Sequence, residues 1–143
     1  MNSSSFEEIL AKEGRLIYTN VGTSMLPLIR EGRDLLVIGR AGGRLKKYDV
    51  PLYRRDDGQY VLHRVLQVRE NDYVTCGDNR WFKETGVTDR QIIGVLTSII
   101  RDDRELSVTD RRYRLFTHVW CDLFPLRAFI LKVLFVLKRE KRE

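Results

Sequence analysis

Two histidines, two cysteines and three prolines are all that the 143 residues hold of those types, and each scarcity closes off a class of function. Cys76 and Cys121 stand far apart and form no CxxC pair. With only His63 and His118 beside them, no Cys/His zinc cluster can be assembled. Free thiols in a reducing compartment are the expectation. The opening stretch MNSSSFEEILAKEG has neither a basic n-region nor an apolar core, so neither signal peptide nor N-terminal anchor is expected. No internal repeat or low-complexity segment is visible. The length suits one domain with a modest core.

Charge is present but unevenly placed. The net value is +6, from 26 basic and 20 acidic residues. Residues 111–143 hold nine of the basic and three of the acidic residues, so the whole excess lies in the tail. That shift divides the chain into a body over residues 1–109 and a basic, apolar helical tail over residues 110–143.

Within the body, Ser5-Phe6-Glu7-Glu8 reads as a capping box, predicting a helix from Ser5 to about Glu13 that stops at Gly14. Strands are expected over residues 15–20, 34–38, 50–54, 60–69, 73–77, 92–101 and 105–108. Asp56-Asp57-Gly58 makes a hairpin turn, and Asp102-Asp103 another. Short strands joined by tight turns predict a mainly β fold of coiled sheets or a small barrel, with a short N-terminal helix and C-terminal helices.

Three motifs carry chemistry: Gly22-Thr23-Ser24-Met25-Leu26-Pro27, then Val61-Leu62-His63-Arg64-Val65-Leu66, then Thr75-Cys76-Gly77-Asp78-Asn79. A serine hydroxyl is a poor nucleophile alone; it needs a base in hydrogen-bond reach and a third group to orient that base. Hydroxyl, imidazole and carboxylate come here in that order. The glycine-led turn also lets the backbone come close and leaves amide N–H groups for a developing oxyanion. Asp34 and Asp49 read as turn residues, Cys76 as buried strand filler, Arg64 as structural, and His118 lies outside the region.

In these motifs the chain resembles the signal peptidase and LexA-like superfamily of serine peptidases, over about residues 19–100. It is most similar to the branch that uses histidine as base. The resemblance implies coiled β-sheets of the signal peptidase/LexA type, with Ser24 as nucleophile and His63 as general base. Lysine-using members need a lysine near position 63, and Lys46 and Lys47 lie instead in a Gly-rich loop. For the orienting acid the resemblance offers Asp78 and, six residues later, Glu84; both remain open. Many signal peptidases carry a serine two residues before the nucleophile. Gly22 stands there, so the oxyanion hole would rest on the amides of Thr23 and Ser24. No metal or organic cofactor is required. The implied substrate is an extended signal or leader peptide with small residues before the cleaved bond. The rival is a non-catalytic or self-processing LexA-like module that binds peptides. LexA-like repressors carry a DNA-binding domain ahead of the core, and the 23 residues before Ser24 are too few for one.

The tail's longest apolar run, residues 126–137, would span about 18 Å as a helix, against a hydrocarbon core of about 30 Å. Lengthening it back to Leu115 gives a segment that includes Asp122, Pro125, Arg127 and Lys132, and each charge costs roughly 2.5–3.5 kcal/mol near the midplane. A helical pair lying on a membrane surface fits better, with Trp120, Phe124, Phe129 and Phe135 reaching into lipid. Packing of the same face on the β core is the alternative. Basic residues interrupted by aliphatic ones do not make a nucleic-acid stripe. The resulting expectation is a cytoplasmic peptidase, peripheral to a membrane through its C-terminus, with a peptide or protein substrate.

Overall fold

A computed structural model describes residues 5–19 and 22–142. Over them the chain forms a small mixed α/β fold. A curled, open half-barrel sheet is flanked by an N-terminal helix and two C-terminal helices.

The first helix, α1 (Phe6–Glu13), begins where the sequence says. The Ser5 side chain accepts from the Glu8 amide at 3.2 Å, and the Glu8 carboxylate accepts from the Ser5 amide at 3.3 Å. Gly14, at φ 76°, ends the helix in the left-handed region, which a side chain rarely enters. There follow β1 (Arg15–Thr19), β2 (Leu35–Gly39), β3 (Pro51–Arg54), β4 (Tyr60–Leu62), β5 (Arg64–Val68), β6 (Tyr73–Cys76), β7 (Glu84–Val87), β8 (Ile92–Arg101) and β9 (Arg104–Ser107). Asn20, the last residue of the expected first strand, lies outside the described residues.

Pairing is antiparallel throughout. The first sheet runs β1-β2-β8-β3-β4, with β9 also paired to β8; the second runs β5-β6-β7. The ten-residue β8 is the spine, with β2 along one edge and β3 and then β9 along the other. The expected strand over residues 60–69 is therefore two strands. It crosses from one sheet to the other at a single residue, His63. Glu84–Val87, a segment with no strand signal in the sequence, pairs with β6.

One core cluster gathers Leu36, Ile38, Leu52, Leu96 and Ile99 with Met25 and Ile29 from the loop between β1 and β2. A second gathers Tyr53, Val65, Tyr73 and Val87 between the sheets. Asp110 caps α2 (Arg111–Asp122) by accepting from the Arg112 amide at 2.8 Å, and α3 (Phe124–Glu140) follows with Pro125 in its first turn. Tyr113, Thr117 and Cys121, spaced four apart, form the buried face of α2.

Candidate functional site

Ser24 is placed by its neighbour. Met25 is fully buried in the main core, so its side chain pins the loop while Ser24 stays partly open to solvent. The Met25 thioether accepts from the Asp78 amide at 3.5 Å. Asn79 completes the seam: its amide donates to the Ser24 carbonyl at 2.8 Å, and its side-chain Nδ2 to the Thr23 carbonyl at 3.1 Å. Two of the three motifs are thus joined by backbone and side-chain bonds.

His63 joins them from the sheet crossing. Gly77 records how close the three come. A Cβ built on it would lie 2.6 Å from the Ser24 carbonyl oxygen and 3.2 Å from His63 Nε2. The imidazole therefore turns Nε2 toward the Ser24 loop across Gly77, and only glycine leaves the space. Among the described residues, neither the Ser24 nor the Met25 N–H is used by a backbone carbonyl.

The two candidate acids are occupied elsewhere. Asp78 is fully buried and takes a bidentate pair from Arg64, with Nε and Nη2 at 2.8 Å each. Arg64, equally buried, also donates to the Tyr48 carbonyl and the Tyr113 hydroxyl. Glu84 accepts from Tyr53 Oη at 2.7 Å and from Arg55 Nε and Nη2 at 3.0 and 2.9 Å. Burial pushes the Glu84 carboxyl up, but those bonds and the Arg55 charge outweigh it, and its pKa falls below the ordinary value. Neither acid bonds His63, whose Nδ1 is buried without a hydrogen-bond partner among the described residues.

Burial accordingly governs the imidazole. It drives the His63 pKa down to about 4, with Arg55 and Arg80 pushing the same way. Glu84, the stronger of the two opposing carboxylates, outranks Asp78 but does not offset the burial. The ring is neutral at physiological pH, the form a general base requires.

The helical tail reaches this site, so part of its face packs on the β core, which is the alternative to a wholly membrane-facing tail. Trp120 Nε1–H donates to the Asp78 carbonyl at 2.7 Å. Arg127 is buried beneath α3, where Nη2 lies 3.4 Å from the Gly77 carbonyl and 3.7 Å from Cys76 Sγ. Its guanidinium also sits over the Phe124 ring at 4.7 Å and the Trp120 ring at 5.5 Å. The available signal is Trp120 and Arg127 in an apolar tail, on either side of Pro125 and on separate helices, which reads equally as a membrane anchor with an unwelcome charge.

Other candidates lie apart. Asp34 is buried and takes a bidentate pair from Arg101 at 2.7 and 2.6 Å. Asp49 accepts from the Lys46 amide at 2.8 Å, and the Cys76 thiol is buried. His118 is exposed against Tyr48, with Nδ1 3.7 Å from Asp122. Among the described residues, no three His, Cys, Asp or Glu side chains are grouped to hold a metal ion. The chain matches no protein-family model, and comparison with curated proteins and with solved structures gives no match.

Proposed function

We propose that this chain is a serine endopeptidase resembling signal peptidase, on a sheet of the signal peptidase/LexA type. The observation that carries the reading is the meeting at Gly77 of the Ser24 loop and His63 Nε2. Ser24 Oγ attacks the carbonyl carbon of an extended peptide. His63 Nε2 takes the hydroxyl proton and passes it to the departing amine, leaving an acyl group on Ser24 that water then removes. Amides at Thr23 and Ser24 receive the negative charge on the carbonyl oxygen. Glu84 acts on the imidazolium through its charge, without a bond, and Asp78 holds Arg64 and the turn.

A second reading has an observation of its own. The partnerless Nδ1 and the engagement of both acids favour a LexA-like module that binds an extended peptide without turning it over. The two part on cleavage of a peptide with small residues before the scissile bond. The peptidase reading expects turnover that disappears in Ser24→Ala while peptide binding persists. Binding of equal strength in both proteins, with no product from either, would select the binding module.

A further inference from the structure

The inner face of α3 is committed to protein through Arg127, while the outer face is not. Leu126, Phe129, Ile130, Val133 and Leu137 follow one another at helical spacing and form one stripe. All five are exposed, from 41% at Val133 to 67% at Phe129. An apolar stripe of this width on a soluble surface marks a contact site. On the opposite, inner side of the helix Phe135 packs on Trp81 with ring centroids 5.1 Å apart, and the adjoining Phe82 is 56% exposed.

Charge identifies the occupant. Lys132, Lys138, Arg139, Lys141 and Arg142 are exposed along and beyond α3, against Glu140 as the helix's acidic residue. A second copy packed face to face would bring rims of one sign together, whereas anionic headgroups would neutralise them. Length settles the orientation. Seventeen residues make a helix of about 25 Å, and among the described residues no helix is long and apolar enough to cross a membrane.

We propose that the outer face of α3 docks in the plane of an anionic lipid surface. Resting on the peptidase reading, this docking holds the Ser24–His63 site at the lipid–water boundary. Of the four aromatic anchors expected from sequence, Trp120 and Phe124 turn toward the protein and Phe135 packs on Trp81, which leaves Phe129 on the outer face. The face is built from Phe129 and its aliphatic neighbours.

The test is co-sedimentation of the full chain with vesicles of equimolar phosphatidylcholine and phosphatidylglycerol, beside vesicles of phosphatidylcholine alone. Binding should be about tenfold or more stronger to the anionic vesicles and should weaken as salt rises. Phe129→Glu with Val133→Glu should lower it by about tenfold or more, with circular dichroism and melting unchanged because both side chains are exposed. Equal binding by variant and wild type, or to both vesicles, would overturn the proposal. So would a lipid-free dimer that the variant dissociates, with no vesicle binding. A peptide tethered to anionic vesicles should be cut faster than the same peptide free, and the double variant should lose that advantage; equal rates would overturn the placement of the site. Ser24→Ala should bind vesicles as wild type does. Retained vesicle binding by a chain that cleaves nothing would therefore remove the peptidase reading and leave lipid docking standing.

Discussion

The Trp120 indole N–H donates to the Asp78 carbonyl at 2.7 Å, tying the second-last helix to the turn that faces Ser24. Helices α2 and α3 are therefore a wall of the site. Trp120→Phe removes one partly buried hydrogen bond and should lower stability by about 1 kcal/mol. Turnover should fall further than that loss implies, because the turn sets the Ser24–His63 spacing. Deleting residues 111–142 uncovers the buried Arg64–Asp78 pair and the core face that Tyr113 covers. That truncated chain should fail to show a cooperative melt. A shortened protein that melts cooperatively and still cleaves would refute the clamp.

Asp78→Asn and Glu84→Gln should part company. The first leaves Arg64 charged and buried without its partner, at a cost of about 3–5 kcal/mol. The second acts at a part-exposed site, with side chains 34% and 28% exposed for Arg55 and Glu84. Its stability cost should be about 1 kcal/mol or less. Melting should reveal the difference: Asp78→Asn loses activity with its fold, and Glu84→Gln loses turnover with its fold intact. The reverse ranking of melting temperatures would contradict the assignment of Asp78 to Arg64.

Activity should hold well below the ordinary histidine range. The His63 pKa lies near 4, below the ordinary value near 6.5. The base form therefore persists as pH falls, and half of the activity should be lost near pH 4. Stability carries the same sign. Between about 6.5 and 4 the unfolded chain binds a proton that native His63 refuses. This contribution is complete above 6.5, declines through that window and levels off below it. A kinetic midpoint near 6.5 would mean that His63 is not buried in the active protein.

Gly77→Ala tests the meeting point directly. The added methyl would lie 2.6 Å from the Ser24 carbonyl oxygen, a backbone atom with little room to yield. Overpacking of this kind costs typically about 1–3 kcal/mol. The variant should melt lower and lose most cleavage, since any relief moves Ser24 away from His63. Wild-type turnover in Gly77→Ala would deny the close approach.

Local chemistry was the legible part of the fold. The Ser5–Glu8 box, the stop at Gly14 and the turns at Asp56-Asp57-Gly58 and Asp102-Asp103 each depend on a few adjacent residues, and each is where the sequence places it. The sheet crossing at His63 was not legible. A run such as Tyr60-Val61-Leu62-His63-Arg64-Val65 has one alternation whether it serves one sheet or two. Glu84–Val87 was hidden because its burial is almost wholly outward, with Val87 alone in the core. At the site, motif order anticipated which segments meet at Gly77. Which partner each carboxylate takes was not legible, because Arg64 and Arg55 reach Asp78 and Glu84 through long side chains whose direction only packing decides. Arg127 shows the same limit: read along the chain it is a charge among apolar residues, and in the fold it lies under the turn.

The central claim is that Ser24 is a nucleophile activated by His63. A fluorophosphonate probe forms a bond from Ser Oγ to phosphorus and expels fluoride, and intact-mass analysis with peptide mapping locates the adduct. The account predicts one adduct on Ser24 in the wild-type chain, none in Ser24→Ala, and labelling slowed by about a hundredfold or more in His63→Ala. Labelling that persists in Ser24→Ala, or a wild-type chain that takes no label while folded, would contradict it.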